Sequence, residues 1–244
     1  IAFIHSDHNV RDAQGFAHSF DTAARVSRER GCITLIGIEP TFPSTGFGYI
    51  QRDGVIDVQA GVYNVESFKE KPDYETAKQY VESGNYLWNC GYFVGSVDVF
   101  MNEMQRSAPD LWSNYQTLAS IADFGSEAYN HAYLALDNQV IDIALIEKAH
   151  QLAMVSASFD WMDIGNFKDL HDAVTKDEAG NYAYGDNIHA IDIANTYIRN
   201  EQPDKPVAVI GLDNVVVVNT PDGVLVARRD VAAKCGDIAK RLQK

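Results

Sequence analysis

The chain has 244 residues, with 20 Lys+Arg against 34 Asp+Glu for a net charge of −14, and 46% hydrophobic and 22% charged residues. This balance is ordinary for a globular protein, leaves no apolar run near the roughly 20 residues of a membrane helix, and repels a polyphosphate backbone. Nucleic acid and membrane are therefore not expected as partners, whereas a small anionic ligand in a locally basic pocket is compatible with the charge. The three cysteines, Cys32, Cys90 and Cys235, form no Cys-x-x-Cys pair, so neither zinc nor a disulfide framework is expected. Reduced thiols in a cytoplasmic protein fit this usage.

Ile1-Ala2-Phe3-Ile4 reads as a strand buried on both faces, ending in His5-Ser6-Asp7-His8. Beginning so abruptly, it gives the expectation that something once preceded it. In open α/β sheets ligands bind beyond the carboxyl ends of strands, which places Asp7 for chemistry; capping of the next turn is the alternative. Arg11 to Arg30 has the spacing of an amphipathic helix buried through Phe16, Phe20, Ala23, Ala24 and Val26. A buried strand, Cys32 to Ile38, follows. Strand, helix and strand at this spacing predict a right-handed parallel crossover in a mainly parallel sheet with helices on both faces.

Pro40 to Ile50 is a loop ending Thr45-Gly46-Phe47-Gly48-Tyr49-Ile50. Its glycines allow close backbone approach to a ligand, although a hairpin edge fits equally and no Lys-Ser/Thr follows. Val62 to Phe68 alternates as a half-exposed strand and delivers Glu70-Lys71-Pro72. Asp73 then caps a helix carrying Ala77, Tyr80 and Val81 on one face, and Gly84 ends it. The next strand holds Asn89 between aromatic clusters. Acid, base and amide together suit a hydroxylated, anionic ligand; a solvated turn with an incidental ion pair is the other reading.

Helices are predicted over Val97 to Ser107, Leu111 to Ala122 and Val140 to Ala149, with Pro109 as a break and Glu147-Lys148 as a surface pair. Gln151 to Ser156 and Phe159 to Asn166 read as strands, and Phe167 to Val174 as a helix. Asp163, set among bulky apolar residues, is either a hydrogen-bonded structural group or a metal ligand. After Asp177 the texture becomes short β-like pieces, Ile188 to Ile193, Tyr197 to Arg199, Val207 to Ile210, Val215 to Val218 and Val224 to Ala227. These suggest an appendage of stacked strands, closed by a helix over Asp230 to Leu242. The division expected is 1–177 and 178–244.

Taken in order, Ser6-Asp7-His8, Gly37-Ile38-Glu39-Pro40, Thr45-Gly46-Phe47-Gly48-Tyr49-Ile50, Phe68-Lys69-Glu70-Lys71-Pro72, Trp88-Asn89-Cys90-Gly91-Tyr92-Phe93 and Trp161-Met162-Asp163-Ile164-Gly165 resemble sugar-phosphate nucleotidyltransferases of the mannose-1-phosphate guanylyltransferase type. Gly211 to Thr220 with Leu225-Val226-Ala227 extends the resemblance almost to the end. It implies a Rossmann-like sheet with a C-terminal segment of left-handed β-helix character. It also implies transfer of GMP from GTP to mannose 1-phosphate, giving GDP-mannose and pyrophosphate. By the same resemblance, Asp7 and Asp163 hold Mg2+ as catalytic metal carboxylates, converging from two remote strands beside the sugar cradle. Lys71 neutralises the sugar phosphate, Glu70 and Asn89 bond sugar hydroxyls, and the Gly48 backbone approaches the sugar.

The resemblance lacks the family's glycine-rich, Arg-containing N-terminal loop, so the chain reads as the C-terminal portion of such an enzyme, with its activity alone left open. His5 stands where proline is usual, Cys90 where serine is common, and Asn166-Phe167 where Ser-Trp is frequent. Two alternatives remain at this stage. One is a glucose- or N-acetylglucosamine-1-phosphate relative; the other is a non-catalytic sugar-nucleotide-binding subunit. The β-rich tail is the surface expected for a homodimer.

Overall fold

The structure is a computed structural model that describes residues 1–242. It divides into two compact units, one of Ile1–Ser6 with Val10–Asp160 and one of Asp7–Asn9 with Trp161 onward. Among the described residues, no helix is long and apolar enough to cross a membrane.

Strand β1 is the short His8–Asn9. Helix α1 spans Ala13–Arg30, capped by the Asp12 carboxylate on the Gly15 N–H and closed by Gly31. Its Ala23 and Val26 are buried as expected, while Phe16 and Phe20 are half-buried and meet Tyr92 edge-on or tilted. Strand β2, Ile33–Ile38, is buried along its whole length. β3 (Gly48–Asp57) and β4 (Val62–Lys69) form an antiparallel hairpin with three register shifts. Helix α2, Tyr74–Ser83, is capped by Asp73 on the Thr76 N–H and closed by Gly84, as its sequence signals predict.

Strand β5 is Tyr86–Val94. α3 (Val97–Ser107) and α4 (Pro109–Ala119) follow, with the expected break falling at Ala108 and Pro109 taking the first position of the second helix. Proline suits the first helical turn because the missing N–H has no partner there. α5, Glu127–Leu134, has no counterpart in the sequence reading. The predicted helix over Val140 to Ala149 is broken: α6 covers Ile141–Ala144, and a 3-10 turn covers Ile146–Lys148. β6 (Leu152–Ser156) completes the first unit.

Within that unit the order β2-β5-β3-β4-β6 closes on itself. Only β2 with β6 is parallel; β2–β5, β3–β5, β3–β4 and β4–β6 are antiparallel. The molecule is mixed α/β as expected, but the mainly parallel sheet is corrected. The cause is β5. Ala2 bridges Val94 antiparallel, and the Phe3 N–H donates to Phe93 O at 3.0 Å. The first run and β2 therefore share a direction with the antiparallel β5 between them. Leu35, Ile50, Leu87, Phe93, Leu145, Ile146 and Met154 fill the main core.

The second unit pairs β1 with β7, Met162–Asp163. α7, Phe167–Ala173, starts at Asn166, whose side chain accepts from two backbone N–H groups. The Lys176 ammonium reaches the carbonyl oxygens of His171, Asp172 and Val174 at 2.8–3.3 Å, offsetting the helix C-terminal charge. Strands β8 (Tyr182–Tyr184), β9 (Ile188–Ile191), β10 (Tyr197–Asn200), β11 (Val207–Ile210), β12 (Val215–Thr220) and β13 (Gly223–Arg228) then stack. β8, β10 and β12 are parallel neighbours, β9 and β11 form a second parallel pair, and β13 returns antiparallel on β12.

Both faces of β10 and β12 are covered. Ile198, Val215 and Val217 pack with Val209, while Tyr197, Val216 and Val218 pack on Phe167 and Leu170. That is why Val215–Val218 is a continuous apolar run instead of an alternating one. Asn187, Asn195 and Asn214 turn the corners at positive φ, a conformation asparagine tolerates better than most residues. The expected terminal helix begins as a 3-10 stretch, Arg229–Lys234, and continues as α8, Cys235–Leu242.

Asn200 is 2% exposed and is the polar pin of the stack. Its Nδ2 donates to Asp186 O at 2.8 Å and Lys205 O at 3.0 Å, and its Oδ1 accepts from the Gln202 N–H and from Asn219 Nδ2. Replacing it leaves several buried groups unpaired, each costing on the order of 1 kcal/mol or more. Asn200→Ala is expected to lower stability by roughly 2–4 kcal/mol in urea unfolding followed by circular dichroism; a loss under about 0.5 kcal/mol contradicts this role.

Candidate functional site

In the first unit, β3, β4 and β5 lie side by side, and their ends gather four of the six predicted site residues. Gly48 opens β3 directly opposite Asn89 of β5. A Cβ placed on Gly48 collides with Glu70 Oε2 and would come within 3.1 Å of Asn89 Cβ. Only glycine lets these three pack so closely. Glu70 follows the last residue of β4, and its side chain is 11% exposed. One oxygen, Oε1, lies 3.0 Å from Lys71 Nζ. The other, Oε2, is buried without a hydrogen-bond partner. A buried carboxylate oxygen lacking a donor carries a desolvation cost that a ligand hydroxyl can relieve.

Lys71 itself is exposed and has φ +44°, in the left-handed region. For a residue with a side chain this costs on the order of 1 kcal/mol, and the surroundings hold it. The Glu70 N–H before it donates to Glu147 Oε1 at 3.1 Å, and Pro72 after it is buried. The strain sits at the cation whose ammonium pairs with the buried acid.

Asn89, 8% exposed, accepts the Gly91 N–H on Oδ1 at 3.0 Å and donates from Nδ2 to Asp142 Oδ1 at 2.7 Å. Gly91 has φ +72° and lies where the β2–β5 register jumps from Ile36↔Tyr92 to Gly37↔Asn89. The extra residues bend β5 and leave the Asn89 side chain capping its own bulge. Beside it Cys90, fully buried, donates from Sγ to Ile36 O, and burial pushes its thiol up to about 12. It is a core residue with no thiolate chemistry at neutral pH.

Two acids of this site were not predicted. Asp142 on α6 holds Asn89, and Glu147 on the 3-10 turn holds the Glu70 backbone and lies 3.9 Å from Lys69 Nζ. The only sequence signal was the pair Glu147-Lys148, which has the look of a solvated surface pair.

The remaining two predicted residues belong to the second unit. Asp7 is exposed and immediately precedes β1; Asp163 is half-buried on β7. His8 pairs directly with Asp163, so the two aspartates, remote in sequence, lie on adjoining backbones. A carboxylate oxygen of Asp7 and a ring nitrogen of His8 are within 4.8 Å of each other, and His8 Nδ1 receives the Trp161 indole N–H at 3.0 Å. Asp169, on the first turn of α7, has its carboxyl raised above the usual range, chiefly by burial, with Asp163 as a minor like-charge neighbour. Asp7 and Asp163 offer hard carboxylate oxygens, the donor type that suits Mg2+. The structure thus gathers Gly48, Glu70, Lys71 and Asn89 in one unit and Asp7 with Asp163 in the other.

Comparison with known proteins sets its boundary later than the two compact units do, and keeps all six residues in one match. A family described as Nucleotidyl transferase matches residues 1–180, and one described as MannoseP isomerase/GMP-like beta-helix domain matches residues 186–242. The chain is 34% identical to the xanthan biosynthesis protein XanB of Xanthomonas campestris over 242 residues, 98% of this chain and 50% of that protein. It is likewise 34% identical to a Klebsiella pneumoniae mannose-1-phosphate guanylyltransferase over 230 residues, 92% of this chain and 48% of that one. It spans about half the length of the curated relatives it matches. A crystal structure described as mannose-1-phosphate geranyltransferase from Thermus thermophilus superposes with a TM-score of 0.84 at 28% identity, covering 100% of this chain and 69% of that one. With its match running from residue 1 to residue 180, the chain belongs to the nucleotidyl transferase family.

Proposed function

We propose that this chain carries the sugar-phosphate side of a reaction in which GMP passes from GTP to mannose 1-phosphate, yielding GDP-mannose and pyrophosphate. The observation that carries the reading is Glu70 Oε2, buried beside the Gly48 backbone without a donor. A carboxylate so placed accepts a sugar hydroxyl, and the adjoining Lys71 ammonium suits the sugar phosphate. Asn89 offers its second amide hydrogen to a ligand oxygen. Relatives named mannose-1-phosphate guanylyltransferase support the choice of mannose and guanine.

In this reaction a phosphate oxygen of mannose 1-phosphate attacks the α-phosphorus of GTP and pyrophosphate departs. Catalysis of such transfers rests on alignment and charge neutralisation. The cradle fixes the sugar through Glu70, Asn89 and the Gly48 backbone, and Lys71 screens the attacking phosphate. Asp7 and Asp163 are the proposed ligands of a divalent cation, Mg2+ by the hardness of their oxygens. When bound, that ion supplies neutralisation of charge on transferring phosphates. The same proposal takes residues 1–177 as nucleotidyltransferase and 178–244 as an appendage whose exposed Val224 and Val226 suit self-association. Three free cysteines fit a reducing compartment such as the cytoplasm.

Two measurements test the reading. Calorimetry with this chain is expected to show mannose 1-phosphate binding that weakens at least tenfold in Glu70→Gln, the loss typical of a hydrogen bond to a charged group. Unchanged affinity contradicts the cradle. In an assay of the transfer, pyrophosphate release is expected to require GTP, mannose 1-phosphate and Mg2+, and to fall on the order of 100-fold in Asp163→Asn; an unchanged rate removes Asp163 from the metal site.

A further inference from the structure

We infer that Asp142 and Glu147 are positioning residues that preset Asn89 and Glu70 for the ligand; this deepens the sugar-phosphate reading and rests on it. Both come from one short segment. In an unbroken helix, residues five apart point roughly 140° away from each other, so one face cannot present both. Here α6 stops at Leu145, with φ −126° and ψ −54°, and a 3-10 turn begins. The break delivers one carboxylate to β5 and the other to the exit of β4. Leu145 and Ile146, each 1% exposed in the main core, anchor the segment, so the two acids are held from below by packing.

Each acid fixes a different degree of freedom. The Asn89 amide has its oxygen on the Gly91 N–H and its nitrogen on Asp142. Flipping it would set Oδ1 against a carboxylate, so Asp142 selects the orientation that leaves an N–H for the ligand. Glu147 accepts the Glu70 N–H at the residue preceding the positive-φ Lys71. It thereby fixes the backbone from which both the acid and the ammonium project. Two charge-assisted bonds, one to each half of the cradle, keep it in binding geometry before a ligand arrives, which is where preorganisation gains affinity.

The test uses the whole chain. Hydrogen exchange by NMR reads the Asn89 side-chain amide and the Glu70 backbone amide, calorimetry reads mannose 1-phosphate, and melting temperature reads the fold. Asp142→Ala is expected to speed exchange of the Asn89 amide at least tenfold, and Glu147→Ala to do the same at the Glu70 amide. Each is expected to weaken mannose 1-phosphate about tenfold. Glu147→Gln, whose amide oxygen accepts the same bond, is expected to return both readings to within about threefold of wild type. If an alanine variant unfolds, Asp142→Leu or Glu147→Met, which keep volume without the acceptor, takes its place.

Exchange that does not change in the variants overturns the inference, as does equal mannose 1-phosphate affinity in wild type and variants when wild type binds. A wild-type chain that binds no mannose 1-phosphate overturns the proposed function and this inference with it. The two failures are thus told apart by the wild-type titration.

Discussion

A carboxylate oxygen of Glu70, shut away from solvent with nothing to receive, is the constraint on which the first unit turns. The charge is held because Lys71 occupies the other oxygen. It is held in a fixed place because β3 and β5 come together at Gly48 and Asn89, leaving no volume for a side chain there. Three irregularities lie around it. The bulge in β5 turns Asn89 inward, the left-handed Lys71 redirects the chain after β4, and the broken segment after Val140 supplies two acids, one on the Asn89 amide and one on the Glu70 N–H. A left-handed Lys71 beside a buried carboxylate oxygen that lacks a donor fits a prepared binding site better than a packed core.

The second unit is built on different physics. Its strands are too short to stand alone, and parallel stacking with burial on both faces supplies their stability. Asparagine side chains replace long hydrophobic layers at the corners, where Asn200 and Asn219 bond each other at 2.9 Å. The β1–β7 pairing belongs to this unit and brings the backbones of Asp7 and Asp163 side by side. Asp7 is exposed and Asp163 half-buried, so neither is sealed in a core.

Much of this was legible in the residues. Asp73 and Gly84 bounded α2 because capping chemistry is local, and the core valines of the stack announced themselves as a continuous run. The four cradle residues are legible through the order of their motifs more than through any one of them. What could not be read was long-range choice. Nothing in Tyr86–Val94 encodes that it runs antiparallel between Ile1–Phe3 and β2, so the sheet was expected to be mainly parallel. β3 was legible only as a hairpin edge up to Ile50, because Arg52, Asp53 and Gly54 interrupt its alternation where the register with β4 slips. Asp142 and Glu147 were missed for the same reason. Their partners lie 53 and 77 positions away, and the segment's apolar period reads as one unbroken surface helix.

The central claim is that the donor missing from Glu70 Oε2 is a hydroxyl of a sugar phosphate. A crystal structure of the chain with mannose 1-phosphate addresses it most directly. The account predicts a sugar hydroxyl oxygen about 2.7 Å from Glu70 Oε2, as for a charge-assisted bond, with the phosphate beside the Lys71 ammonium. A sugar phosphate seated elsewhere, with Oε2 still lacking a donor or taken by solvent, would contradict it.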